Sequence, residues 1–72
     1  MNQIEVLALL REYPDSTRAE LTRKIYPDLD AMSYWERLSR KQVVGDKLRM
    51  LRKAGCAESY GPIKDRRWRA IE

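Results

Sequence analysis

The side chains best able to do chemistry in this chain are guanidinium and ammonium groups, and they are concentrated towards its end. Arg40, Lys41, Arg49 and Arg52 recur through one segment, and Lys64, Arg66 and Arg67 crowd a second. Guanidinium forks match the two oxygens of a phosphate or the O6/N7 edge of guanine, and an amide such as Gln42 matches adenine. Gly45 allows close backbone approach, and Asp46 can accept a hydrogen bond from a cytosine amine. Residues 37–72 hold 11 of the 15 Lys+Arg and 4 of the 11 Asp+Glu, whereas residues 1–36 hold 4 and 7. One half is therefore +7 and the other −3. A cationic half joined to an acidic one points to a polyanion as the partner of one surface.

Other chemistries find little support. The chain has no His, a single Cys and no Gly-rich phosphate loop, and no pair of carboxylates stands at an obvious catalytic spacing. Cys56 has no thiol to pair with and no His to activate it, and reads as a small strand residue in a reducing compartment. The expectation is a protein that is not an enzyme, with no cofactor and no metal. The apolar run Val6 to Leu10 is too short for a signal sequence, and no stretch is long enough to span a bilayer. A cytoplasmic location is expected.

At 72 residues the chain reads as one domain, 1–72, with a thin core. A chain of this size buries only about 60% of the surface that its unfolded form exposes. Local signals must therefore be good. A first helix is expected from Asn2 to Tyr13, with Ile4, Leu7, Ala8 and Leu10 close to one face and Pro14 as its stop. Thr17-Arg18-Ala19-Glu20 fits a capping box that opens a second helix, which places Leu21 and Ile25 on one face and ends at Tyr26-Pro27-Asp28.

Two more capping patterns follow, Ser33 to Glu36 and Ser39 to Gln42. At about 100° per residue, Val44, Leu48 and Leu51 form one stripe, while Leu38 falls about 110° away and Trp35 further still. A straight helix would bury one set and expose the other. The phase predicts a short turn at 34–38, a break near Ser39, and a separate helix over 40–54. Gly55 suits the left-handed residue that ends such a helix. Residues 56–60 read as a strand, 61–65 as a turn, and 66–71 as a second strand with Trp68 turned inward.

The fold class expected is mainly α with a small β-hairpin: three helices and a two-stranded ribbon. The segment Val44-Gly45-Asp46-Lys47-Leu48-Arg49-Met50-Leu51-Arg52-Lys53-Ala54-Gly55-Cys56-Ala57 resembles the recognition helix and first wing strand of winged helix-turn-helix DNA-binding domains. Arg67-Trp68-Arg69-Ala70 is similar to their second wing strand. The resemblance covers nearly the whole chain at the level of fold. It implies double-stranded DNA as partner, with helix 40–54 in the major groove and the 61–67 wing on the backbone or minor groove. The DNA-contact set is then Arg40, Lys41, Gln42, Gly45, Asp46, Arg49, Arg52, Lys64, Arg66 and Arg67. Two departures are visible. Residues 27–38 exceed a tight helix-turn-helix connection, and Gly45-Asp46 stand where relatives place base-contacting groups. A small prokaryotic or phage regulator of transcription or of another DNA transaction fits this size.

Competing readings use the same residues. A basic helix face is commonly plain solvated charge, and Arg52 and Lys53 complement the helix dipole. Trp35 and Trp68 read as core anchors, while Tyr34 and Tyr60 stay open. Val43 and Met50, seven apart beside the main stripe, either extend the core or form a homodimer contact. The leading alternative function is a protein–protein interaction module or small inhibitor of a host factor. Single-stranded nucleic acid binding by the arginine-rich hairpin ranks third.

Overall fold

The computed structural model describes residues 2–71. It is mainly helical, with three α-helices and a small three-stranded antiparallel sheet. Helix α1 spans Gln3–Glu12 and starts at Asn2, whose side chain accepts from the Glu5 N–H at 3.0 Å. After Tyr13-Pro14 the backbone turns through Asp15 at φ 62°, a left-handed conformation that Asp tolerates better than most residues. Ser16–Thr17 form the short strand β1, and helix α2 follows at Arg18–Ile25. The Thr17 capping box forms as expected. Its hydroxyl accepts from the Glu20 N–H at 3.2 Å, and the Glu20 carboxylate accepts from the Thr17 N–H at 3.4 Å.

A 3₁₀ turn at Leu29–Ala31 leads to helix α3, Tyr34–Lys53, capped by Ser33. The break expected near Ser39 is absent, because α3 is one continuous helix of 20 residues. The phase conflict that argued for a break is resolved by exposure. Val44, Leu48 and Leu51 are buried, while Tyr34 and Trp35 are 63% and 74% exposed and Leu38 is half-buried. A helix about 30 Å long extends past so small a core, so its first turns need no buried face. Trp35 is therefore not the core anchor expected. Its ring meets Tyr34 edge to face, with centroids 5.3 Å apart.

The end of α3 is a Schellman motif. Gly55 takes φ 79°, the Cys56 N–H donates to the Leu51 carbonyl at 2.9 Å, and the Gly55 N–H donates to the Arg52 carbonyl at 3.1 Å. The chain then forms β2 (Ala57–Tyr60), a loop containing a 3₁₀ turn at Ile63–Asp65, and β3 (Arg67–Ala70). Strands β2 and β3 pair with Ser59 opposite Trp68 and Tyr60 opposite Arg67. The sheet has a third strand beyond the expected two-stranded ribbon. Strand β1 pairs with the other edge of β3, Ser16 opposite Trp68, giving the order β1-β3-β2. Two residues are too short to show alternation, so only tertiary pairing defines this strand.

The core is Val6, Leu10, Leu21, Val44, Leu48, Leu51, Ala57 and Trp68. The face of α1 differs from expectation. Leu10 is fully buried as expected and Leu7 is half-buried, but Ile4 is 77% exposed and Ala8 is exposed, while Val6, outside the expected set, is fully buried. Helix α1 carries apolar residues on several sides, so periodicity alone did not fix its rotation. The two buried hydroxyls are satisfied locally. The Thr22 hydroxyl donates to the Arg18 carbonyl, and the Ser16 hydroxyl donates to the Tyr13 carbonyl, each at 2.7 Å. No helix among the described residues is long and apolar enough to cross a membrane.

The two tryptophans give opposite expectations. Trp68→Ala should destabilise by about 3–5 kcal/mol, a buried aromatic lost from a small core. Trp35→Ala should stay within about 0.5 kcal/mol of the parent. Denaturant unfolding of both variants measures this, and a large cost at Trp35 would contradict its exposed placement.

Candidate nucleic-acid interface

A groove of about 750 Å³ opens between the start of α2, one flank of α3 and the loop before β3. Its position follows from the rotation of α3. With Val44, Leu48 and Leu51 held inward, Lys41, Gly45 and Arg52 lie about 60–100° round the helix, and Arg49 lies about 140° round. All four line the groove, opposite Lys64 and Arg66 of the loop. The structure thus gathers six of the predicted contact residues from two elements. Arg18, the first residue of α2, joins them from a third. It is absent from the contact set expected from the sequence. A signal existed, because a cation in the first turn of a helix opposes the macrodipole and has no local reason to be there.

Gly45 does not present bare backbone to the groove. It is buried, and the Arg18 side chain lies across it. A Cβ at position 45 would sit 3.1 Å from Arg18 Cδ and 3.3 Å from its Nη1. Gly45 thus lets the Arg18 stem lie close against α3. Arg52 is held by two partners. Its Nη1 donates to the Ser59 hydroxyl at 3.1 Å, and its guanidinium stands 5.4 Å from the Trp68 ring centroid. Arg49 is ion-paired with Asp46 one turn earlier. Both partners are more than half exposed, so the pair contributes little to stability but sets the direction of the guanidinium.

The remaining predicted residues are placed differently. Gln42 and Asp46 are exposed on α3 beside the groove without lining it. Arg40 lies on the other flank, its guanidinium 5.3 Å from the Tyr26 ring centroid, with Nε buried and unpartnered among the described residues. Arg67 does not line the groove; it lies on the face of β3 opposite Trp68, half-buried among carboxylates of its own chain. It pairs with Asp65 at 3.3 Å and Glu20 at 3.7 Å, and it donates to the Asp15 carbonyl at 3.0 Å.

That arrangement governs the charge of the groove. Six cations line it against two carboxylates, Glu20 and Asp65, and Arg67 engages both. Arg18, Lys41, Arg52, Lys64 and Arg66 have no ion-pair partner among the described residues. Unpaired cations around one concavity raise its potential and attract anions. At the far edge of the sheet, Tyr60 donates to the Asp15 carboxylate, which pushes the phenol above its usual pKa. Arg69 pairs with Glu58, which raises the guanidinium further. No group of three or more metal-ligating side chains occurs among the described residues.

Val43 and Met50 are 37% and 49% exposed. They lie about 100–120° round α3 from Val44 on the side away from the groove. The Gln3 amide donates to the Met50 sulfur at 3.3 Å, which ties α1 to this flank. No family model matches the chain, and no curated protein or solved structure matches it at a significant level.

Gly45→Ala separates packing from propensity. Alanine is favoured over glycine inside a helix by roughly 1 kcal/mol, and the nearest obstacle is a flexible side chain. Stability should therefore equal or exceed that of the parent, while the Arg18 guanidinium moves. Thermal denaturation and the Arg18 Nε–H NMR resonance measure the two effects. An unchanged resonance would contradict the contact.

Proposed function

We propose that this chain is a winged helix-turn-helix protein that binds double-stranded DNA. The reading is carried by the groove in which unpaired cations from α2, α3 and the β2–β3 loop face one concavity. Element order supports it. A helix, a short strand, two helices and a hairpin, with β1 on the outer edge of β3, are compatible with that architecture. In this reading α3 enters the major groove with Lys41, Gln42 and Arg49 towards base edges. Asp46 positions Arg49 and accepts from a cytosine amine. Lys64 and Arg66 on the loop reach the backbone or minor groove, while Arg18 and Arg52 hold phosphates. Arg67 acts as internal counterion to Glu20 and Asp65, and Arg40 supports the Tyr26 turn. The role is regulation of transcription or of another DNA transaction in the cytoplasm.

Two substitutions test the assignment. Affinity for duplex should fall with salt at a slope of about −0.9 per phosphate neutralised. Arg66→Ala should weaken binding to all sequences alike and reduce that slope by about one phosphate. Arg49→Ala should cost about 1–3 kcal/mol on preferred sites and relax preference at one position. Selection from a random duplex library followed by salt titration reads both. Absence of binding to any duplex at low salt would end this proposal and leave the protein–protein module as the better account.

The exposed Val43 and Met50 side chains favour one addition, a homodimer joined through this flank. It lies away from the cationic groove, so a second copy would leave the groove open. Sedimentation should show a mass that rises with concentration in the parent and not in Met50→Glu. A constant monomer mass for the parent would remove the dimer.

A further inference from the structure

The cationic groove continues past Lys41. That residue also borders a smaller hollow of about 200 Å³ between the 3₁₀ turn and the first turns of α3. Half-buried Leu38 gives it apolar surface, with the buried Leu29 beneath. Tyr34 lines it too, and the neighbouring Trp35 ring packs edge to face against Tyr34 at an interplanar angle of 77°. Arg37 and Lys41 add positive charge. Asp30 adds a carboxylate whose Oδ2 accepts from Arg23 at 3.2 Å, and no bond engages its Oδ1 among the described residues.

Apolar surface, an aromatic ring, cations and one available acceptor meet in a space much smaller than the adjoining groove. We propose that this hollow receives one unpaired nucleobase from the nucleic acid whose duplex part occupies the groove, an inference that rests on the duplex reading above. Each feature has a counterpart in such a ligand. A base offers two flat faces, which stack on aromatic rings whatever its sequence. Adenine and cytosine carry an exocyclic amine suited to the Asp30 carboxylate. The flanking phosphates meet Arg37 and Lys41. A base still paired in a duplex has both faces covered by its neighbours and cannot enter.

Continuity decides between this occupant and the side chain of a protein partner. Lys41 faces both spaces, so a strand held in the groove passes the mouth of the hollow. Tyr34 stands two helical turns from Lys41, about 10 Å along α3. The ligand class is thus a duplex with an unpaired end or a bulged nucleotide. The 20-residue length of α3 also gains a purpose, because its first turns bury no side chain in the core.

The test is fluorescence anisotropy on the full chain with a blunt duplex and with the same duplex carrying a single unpaired terminal nucleotide. The parent should prefer the second by about tenfold, the order expected of one base stacked on an aromatic ring. Tyr34→Ala should reduce that preference to within about twofold, with blunt-duplex affinity and melting temperature retained. Tyr34 is 63% exposed, so this variant should fold. With 2-aminopurine as the unpaired base, its fluorescence should be quenched by the parent and not by Tyr34→Ala. Equal affinity for the two duplexes, or a preference that survives Tyr34→Ala, overturns the inference while leaving the duplex reading intact. Failure to bind either duplex overturns both.

Discussion

The inward stripe of Val44, Leu48 and Leu51 fixes the rotation of α3, and the rest of the molecule is arranged around it. These side chains meet Val6 and Leu10 from α1, Leu21 from α2, and Ala57 and Trp68 from the sheet. Eight residues form this main cluster, so little redundancy protects its geometry. Rotating α3 by one residue would carry Val44 out of the core and Gly45, which has no side chain, into its place. Hydrophobic burial thus sets not only stability but also which charges face the groove.

Electrostatics refine what packing determines. The two carboxylates at the groove are held by Arg67, a half-buried residue on the central strand of the sheet. Each ion pair is weak by itself, as expected of exposed partners. Their combined effect is positional. Glu20 is engaged in the helix cap and with Arg67, and Asp65 is drawn towards the sheet, which leaves Arg18, Lys41, Arg52, Lys64 and Arg66 uncompensated. Arg67 also bonds the Asp15 carbonyl, so one side chain links the turn before β1 to the hairpin.

Local rules made much of this fold legible in the sequence. The Thr17 and Ser33 caps, the glycine at the end of α3, the main apolar stripe and the inward turn of Trp68 all follow from chemistry within a few residues. What was lost depended on distance. Ser39 carries a cap pattern, but inside a continuous helix the backbone N–H groups already have partners and the pattern has nothing to satisfy. The sequence places Leu10 on the core face, but α1 is apolar on more than one side, and only the positions of α3 and the sheet select Val6 rather than Ile4 as its companion. Strand β1 exists through its pairing with β3. Arg18 joins the groove because Gly45, 27 positions later, leaves room for it. The charge of the site was visible in composition, but its division into free and engaged cations was not.

The overhang of α3 carries a thermodynamic consequence. From Tyr34 to Val43 no residue of the helix is fully buried, so this end is held by the Ser33 cap, the adjoining turn, the Arg40 contact with Tyr26 and its own backbone bonds. Such a segment opens at a free energy well below that of the whole domain. Its amide protons should exchange with solvent through local fraying, whereas those around Leu48 exchange only when the entire molecule unfolds. A small protein can thereby combine a rigid anchor with an end that adjusts its shape at little energetic cost.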